Sequence, residues 1–227
     1  MKQFLAAALF LLGVVSYAQG GYEAVYQQTL SLPEEVNQVE DENARQTLIE
    51  QFASIKIPFT LSYYEGKTLF RPVNITKAAL GTRSIIYVDP SSGKKITQED
   101  VMGKSYLVQE VYTPEKWTVT GETSQIEGYQ CKKAVLGVGE EIVAWFTEEI
   151  PVKTGPMGYV AVPGLVVKLE MENMTFTLSS INPSKKSSVK APSGGKKVTR
   201  DELEKIIVEK AREMGEVRGG RVKVIDL

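Results

Sequence analysis

The feature that most constrains the fold is a strand-like segment that is apolar on both faces and leads into a connection rich in proline and glycine. The two faces of residues 140–147 carry Ile142, Ala144 and Phe146 on one side, and Val143 and Trp145 on the other. A strand of this composition is covered on both sides. The connection then contains Pro151, Gly155, Pro156, Pro163 and Gly164. Because proline fixes φ and glycine permits positive φ, we expect this connection to leave the sheet and return in a set shape.

Short strand-like segments separated by turn residues surround this centre. A turn containing Gly66 separates residues 59–64 from 68–73, as expected for a hairpin. Residues 165–171 alternate between apolar and polar side chains, which is typical of a strand with one solvent face. We therefore predict an α+β, mainly β fold: a single curved, half-barrel-like antiparallel sheet packed against one or two helices.

Two amphipathic segments predict the helices. The apolar face of residues 34–55 is made of Leu48, Ile49, Phe52 and Ile55, and we expect it to cover the concave side of the sheet. The segment 199–214 begins with a capping box formed by Thr199 and Glu202, and Gly215 is expected to end it. This second helix either docks on the sheet, which is the favoured reading, or presents its apolar stripe to a partner.

Composition along the chain divides it into four segments. Residues 1–18 contain one lysine and an apolar run of about 12 residues, whereas a membrane-spanning helix needs about 20. Small residues precede a cut between Ala18 and Gln19, so we predict a cleaved signal peptide and a chain exported to the periplasm or cell envelope. The remaining segments are predicted to be a β-rich domain with an N-terminal helical segment (19–181), a linker loop (182–198), and a C-terminal helix with a tail (199–227). No membrane span is expected in the mature chain.

Composition also excludes several chemistries. The chain has no histidine and one cysteine, which excludes a Ser-His-Asp triad, imidazole zinc sites and an intramolecular disulfide. Its net charge of −1 gives no electrostatic footprint for nucleic acid. We expect no metal, cofactor or catalytic residues, and we expect the acidic run 40–42 to be solvated. Cys131 is predicted to be a buried small hydrophobe, with an intermolecular disulfide as the alternative.

Several segments carry a resemblance to a known family. They are Trp117 and the residues 126–134, 144–151, 155–156 and 162–167, in conserved order and spacing over most of the mature chain. Together they look like the GLPGLI family of exported proteins from Bacteroidetes-type bacteria. One departure is that this chain has Ala161 and Val162 where the name motif begins with Gly-Leu. The family carries no established activity, so the resemblance implies an exported accessory protein and supports fold and location more than function.

Three classes of function remain open from the sequence. The favoured class is a binding or carrier module in which the curved sheet holds a small apolar or peptide ligand against a helix. Its candidate ligand-binding residues are Trp117, Tyr129, Trp145, Tyr159, Pro163 and Gly164, although the aromatic members are more often core residues. The alternative is an interaction protein that docks on an envelope partner through the 199–214 helix or the proline-glycine connection. An enzyme without histidine is the third class, and we expect the chain not to be an enzyme.

Overall fold

The computed structural model describes residues 20–74, 84–137, 142–150, 152–184 and 189–218, with side chains as far as residue 213. Its helices are α1 (Glu42–Ser54) and α2 (Arg200–Arg218), and its strands are β1 (Gly21–Leu30), β2 (Ile57–Tyr64), β3 (Lys67–Pro72), β4 (Ile85–Asp89), β5 (Lys94–Val101), β6 (Lys104–Val111), β7 (Thr118–Ile126), β8 (Tyr129–Leu136), β9 (Ile142–Thr147), β10 (Leu165–Met171), β11 (Met174–Ser184) and β12 (Lys196–Val198). The predicted signal peptide with its cleavage site at Ala18 and Gln19, and the tail after residue 218, lie outside the described residues.

All these strands belong to one sheet in the order β12-β6-β5-β4-β3-β2-β1-β11-β10-β9-β8-β7. Each neighbouring pair is antiparallel except β12 with β6, which is parallel. The sheet is curved and unclosed, and two helices accompany it. The predicted mainly β, half-barrel-like fold is therefore confirmed.

The short link between β6 and β7 forces the sheet to curve. These strands are consecutive in the chain but ten strand spacings apart in the sheet. A flat sheet would hold them about 48 Å apart at about 4.8 Å per spacing. Residues 112–117 are all that join them, and the seven Cα steps from Val111 to Thr118 reach at most about 25 Å. The sheet must therefore bend back until the linked ends of β6 and β7 are no more than about half that flat distance apart.

The connection between β9 and β10, residues 148–164, fills the concave face that this curvature creates. Its residues Ile150, Val152, Val160 and Val162 are buried in the same core cluster as the sheet's aromatic side chains Tyr26, Phe59, Phe70, Phe146 and Phe176. Two glycines allow the close approach. A Cβ at Gly155 would lie 2.6 Å from Val166, and one at Gly158 would lie 2.7 Å from Ile86. The connection therefore occupies the space in which a carried ligand was expected.

Residues of the 112–117 link bind the connection directly. Both backbone groups of Val160 take part: its N–H donates to Glu115 Oε2 at 3.4 Å, and its carbonyl accepts from Trp117 Nε1 at 3.2 Å. Trp117 also meets Tyr159 edge to face, with ring centroids 5.8 Å apart. Burial raises the pKa of Glu115, and it raises that of neighbouring Tyr112 to about 12. The 112–117 link thus holds the 148–164 connection against the curved sheet.

We expect Glu115→Gln to change the pH dependence of stability. A carboxyl whose pKa is higher in the folded state favours folding at low pH, and this contribution is lost as pH rises from the ordinary glutamate value through the folded value. Glutamine stays neutral and can still accept the N–H of Val160. The melting temperature of the variant relative to wild type should therefore rise as the pH increases above about 4. The control is Glu172→Gln, which changes an exposed carboxyl. If the difference in melting temperature between Glu115→Gln and wild type did not change with pH, the account would be contradicted.

Helix α1 does not cover the concave face, which corrects the expectation for residues 34–55. Instead of one helix, the segment forms a 3-10 turn (Glu34–Gln38) followed by α1. The break occurs because Asp41 is the N-cap of α1, where its carboxylate accepts the backbone N–H groups of Asn43 and Ala44. No residue of α1 is buried, so its apolar face is only half-covered.

Helix α2 docks on the sheet over β6, as favoured from the sequence. Leu203 is fully buried against Tyr106, Val108 and Val198. The predicted capping box is present, because Thr199 Oγ1 accepts the N–H of Glu202 while the Glu202 carboxylate accepts the N–H of Thr199. The helix continues to Arg218, so the prediction that Gly215 ends it is wrong.

The segment predicted as a linker loop contains regular structure at both ends. Strand β11 runs three residues past Ile181, to Ser184. Residues Lys196–Val198 form β12 against one edge of β6. Between them, Val189 packs on Leu69, Tyr87, Ile96 and Leu107, a small cluster separate from the main core. The described part of this segment therefore belongs to the sheet domain.

Candidate functional site

One row of cross-strand neighbours defines a candidate binding surface on the outer face of the sheet. The strand registers bring one residue from each of five neighbouring strands side by side. In order from β8 through β9, β10 and β11 to β1, these residues are Lys133, Trp145, Lys168, Thr177 and Gln27. Because side chains alternate along a strand, this row faces away from Ala144, Phe146 and Phe176, which are buried in the core. The row is therefore the outward face of the same strands that enclose the 148–164 connection.

A groove of two adjoining compartments runs along this row. The first compartment has a volume of about 520 Å³ and is lined by Ser124, Gln125, Ile126, Glu127, Trp145, Lys168, Glu170 and Thr177. The second has a volume of about 300 Å³ and is lined by Gln27, Thr29, Lys56, Glu127, Thr177, Leu178 and Ser179. Glu127 and Thr177 line both compartments. We call the two compartments together the outer groove.

The tip of the β7–β8 hairpin forms one wall of the outer groove. Its turn residues Glu127 and Gly128 have φ values of 49° and 84°, the left-handed backbone of a tight two-residue hairpin turn. Strands β7 and β1 are five spacings apart in the sheet, yet Glu127 lines the same compartment as Gln27. The hairpin tip therefore reaches across the intervening strands, so that the groove has a wall as well as a floor.

The indole of Trp145 is held in a fixed orientation by its neighbours. Its Nε1 donates to Glu170 Oε2 at 3.0 Å, and the other oxygen of Glu170 is paired with the ammonium of Lys168. Trp145 is half-buried. It packs against the main core, but it faces the side of β9 opposite Phe146 and therefore does not pack under the following connection. A partly exposed, oriented aromatic ring with polar neighbours is suited to binding a ligand that has both apolar and polar surfaces.

The other residues predicted to bind a ligand do not meet Trp145 in one pocket. Trp117 and Tyr159 pack on each other where the 112–117 link joins the connection. Tyr129 is half-buried at the start of β8, against the main core. Pro163 is exposed beside Gly164, which is buried. Of the six ligand-binding residues predicted from the sequence, only Trp145 is among the described residues that line the outer groove. Lys168, Glu170, Thr177 and Gln27 are additional candidates.

The positive φ expected for glycine in this connection is absent at Gly164 but present at Ala161. Gly164 is not in the left-handed region, but a Cβ there would lie 1.9 Å from the backbone oxygen of Thr147. Glycine is needed because two chain segments touch, not because of its φ. Ala161, in contrast, has a φ of 77°, in the region that favours glycine. This is the position at which the GLPGLI name motif has glycine, and that family resemblance stays a prediction.

Cys131 lies in the main core, as expected for a small hydrophobe. Its side chain is 0% exposed, and its Sγ–H donates to the carbonyl of Tyr129 at 3.6 Å. Burial raises the pKa of the thiol to about 11. The thiolate is the reactive form. This thiol is therefore protected from reaction because it is buried and because it stays protonated.

We expect Cys131 to resist alkylation in the folded protein. With iodoacetamide at about pH 8, the native chain should stay unmodified over a period in which the urea-unfolded chain is fully labelled. Mass spectrometry of the intact protein reads out the single adduct. Equal labelling rates for the two states would show that the thiol is accessible and would contradict its placement in the core.

Neither a metal-binding cluster nor a membrane-spanning helix is found among the described residues. Among them, no group of three or more carboxylate or cysteine side chains is placed to hold a metal ion. No helix in the described ranges is both long and apolar enough to cross a membrane. The lining of the outer groove supplies hydroxyl, amide, charged and aromatic groups, a set suited to reversible binding.

Comparisons with known proteins agree with the fold. A family model described as "N-glycanase peptide, N-terminal domain" matches residues 91–204, half of the chain. Two solved structures of PNGF-II, in space groups C2 and P21, superpose with TM-scores of 0.55 and 0.56 at 17% and 18% identity. Each match covers 85% of this chain but only 33% or 34% of the PNGF-II chain, so this chain spans about a third of that protein. No curated protein matches this chain.

Proposed function

This chain belongs to the family of N-glycanase N-terminal domains, and from that premise we propose that it is a non-catalytic binding module that holds glycans in the outer groove. The observation that carries the proposal is the oriented, half-buried Trp145 in a groove otherwise lined mainly by hydroxyl, amide and charged groups. A sugar ring has an apolar face of C–H groups and a rim of hydroxyls. The indole suits the first, and the polar lining suits the second.

A polar ligand fits the described molecule better than the apolar or peptide ligand expected from the sequence. The concave face, where an apolar ligand was expected, is filled by Ile150, Val152, Val160 and Val162 of the chain itself. The outer groove carries polar groups in both compartments. The raised pKa of Glu115 does not mark a catalytic acid in this groove, because Glu115 lies in the 112–117 link and accepts a backbone N–H.

The interaction-protein alternative finds less support. The apolar stripe of α2 that could meet an envelope partner is used within the chain, since Leu203 is buried and Ile206 and Ile207 pack against β6. Export to the periplasm or cell envelope remains part of the proposal. It rests on the signal-like residues 1–18.

The test is isothermal titration calorimetry with two probes: a neutral N-glycan released from a glycoprotein, and a glycopeptide that carries the same glycan. We expect saturable binding of both probes with similar affinity, and an intact glycopeptide afterwards by mass spectrometry. The deglycosylated peptide is the control and should not bind. Absence of binding to both glycan probes at millimolar concentrations would overturn the proposal, and cleavage of the glycopeptide would overturn its non-catalytic part.

A further inference from the structure

We propose that the ligand of the outer groove is an extended, electrically neutral oligosaccharide that occupies both compartments at once and passes between Glu127 and Thr177. This inference rests on the proposed function and adds the ligand's charge, its length and a second subsite. The second subsite is the compartment that contains Gln27, Thr29 and Ser179.

The length of the ligand follows from the continuity of the groove. The compartment around Trp145 alone measures about 520 Å³, within the range of pockets that hold a whole small-molecule ligand. The second compartment adds about 300 Å³ and shares two lining residues with the first, Glu127 and Thr177. A ligand confined to the first compartment would leave this adjoining polar space unused. A chain of several sugar rings reaches both.

The neutrality of the ligand follows from the balance of charges in the lining. The lining contains two lysines, Lys56 and Lys168, and two carboxylates, Glu127 and Glu170. Lys168 and Glu170 are already paired with each other, so neither is an isolated charge that awaits an ionic partner. The other polar side chains are hydroxyls and amides, which both donate and accept hydrogen bonds. This lining matches the hydroxyl and acetamido groups of a neutral glycan and gives no net attraction for an anionic one.

The second subsite has a recognisable centre in Gln27. Its register neighbour in the row is Thr177, and the neighbouring row carries Thr29 opposite Thr175. Gln27 is half-buried and lines the second compartment. It is absent from the lining of the Trp145 compartment, and a change there should therefore leave binding in the first compartment intact.

The experiment compares two trimmed forms of the same released neutral glycan, a disaccharide and a longer oligosaccharide, by calorimetry. We expect the longer form to bind about tenfold more tightly, which corresponds to ~1.4 kcal/mol. Gln27→Leu should remove this increment and leave the disaccharide affinity unchanged. Gln46→Leu, on the exposed face of α1, is the matched control and should change neither. Should Gln27→Leu fail to fold, the exposed groove residue Ser179, replaced by alanine, provides the same comparison with a smaller effect.

The outcomes separate this inference from the proposed function. If neither form binds, the proposed function fails. If both forms bind with equal affinity, or if Gln27→Leu leaves the longer form's affinity unchanged, glycan binding survives and the two-compartment inference is overturned. If a sialylated form of the same glycan binds more tightly than the neutral form, the inferred neutrality is overturned.

Discussion

Gly164→Ala is expected to destabilise the chain by roughly 4 kcal/mol or more, at the extreme end of single substitutions. A Cβ at this position would lie 1.9 Å from the backbone oxygen of Thr147 and 2.7 Å from its carbonyl carbon. These atoms belong to β9, which pairs with β10 at Leu165 and Thr147. The clash cannot be relieved by a side-chain rotation, because the atoms in contact are backbone. Either the two strands separate locally or the connection moves out of the core.

The measurement is the free energy of unfolding in urea, with Gly121→Ala as the matched control. Gly121 lies in β7 and, like Gly164, is outside the left-handed region, but a Cβ there would meet nothing within 4 Å. We expect the control to change stability by no more than about 0.5 kcal/mol. If Gly164→Ala were as mild as the control, the close contact between the connection and β9 would be absent in solution.

Trp145→Ala is expected to weaken glycan binding by about 30-fold or more while costing only about 1–2 kcal/mol of stability. Truncation of a central tryptophan in a binding site typically costs at least about 2 kcal/mol of binding free energy. The stability cost is smaller than the roughly 3–5 kcal/mol for a fully buried tryptophan, because this ring is half-buried on the outer face. Calorimetric titration and urea unfolding of the same preparation give both quantities.

The second tryptophan provides the reciprocal control. In Trp117→Phe, the carbonyl of Val160 loses its indole donor and the contact with Tyr159 changes, and none of these three residues lines the outer groove. We expect this variant to lose stability, by about 1–3 kcal/mol for the unpaired group, and to bind glycan as wild type does. If Trp145→Ala instead destabilised strongly without changing affinity, the ring would be structural and the groove would not be the binding site.

Much of the fold could be predicted because its signals are local. Alternation in residues 165–171 marks β10, and the glycine turn after residue 64 marks the β2–β3 hairpin, whose turn residues Glu65 and Gly66 both have positive φ. The capping box of Thr199 and Glu202 marks the start of α2. Where local chemistry decides the structure, the sequence is sufficient.

The sequence signals for other elements are weak or ambiguous. Strand β5 (Lys94–Val101) is mostly polar, and β12 is three residues of a lysine-rich segment, so neither has a clear apolar period. The acidic residue Asp41 caps a helix inside a segment whose apolar spacing suggests one continuous helix. Gly215 did not end α2, because a glycine inside a helix costs only about 1 kcal/mol.

Most of the candidate site could not be predicted from the sequence, because the register between strands brings its residues together. Gln27, Lys168 and Thr177 are unremarkable polar residues on separate strands, and only the pairing of β1, β10 and β11 brings them into one row. Trp145 was the one available signal, but a strand that is apolar on both faces favoured burial for its ring. The filling of the concave face by residues 148–164 is what leaves the outer face as the candidate binding surface.

The most direct test of the groove as the glycan site uses the indole N–H signals in a ¹H–¹⁵N correlation spectrum. The chain has two tryptophans, so it gives two indole signals, which the Trp145→Phe variant assigns. Titration with the released neutral N-glycan should shift the Trp145 signal in a saturable manner and leave that of Trp117 in place. A shift of Trp117 alone, or saturable binding that moves neither signal, would contradict the assignment of the outer groove.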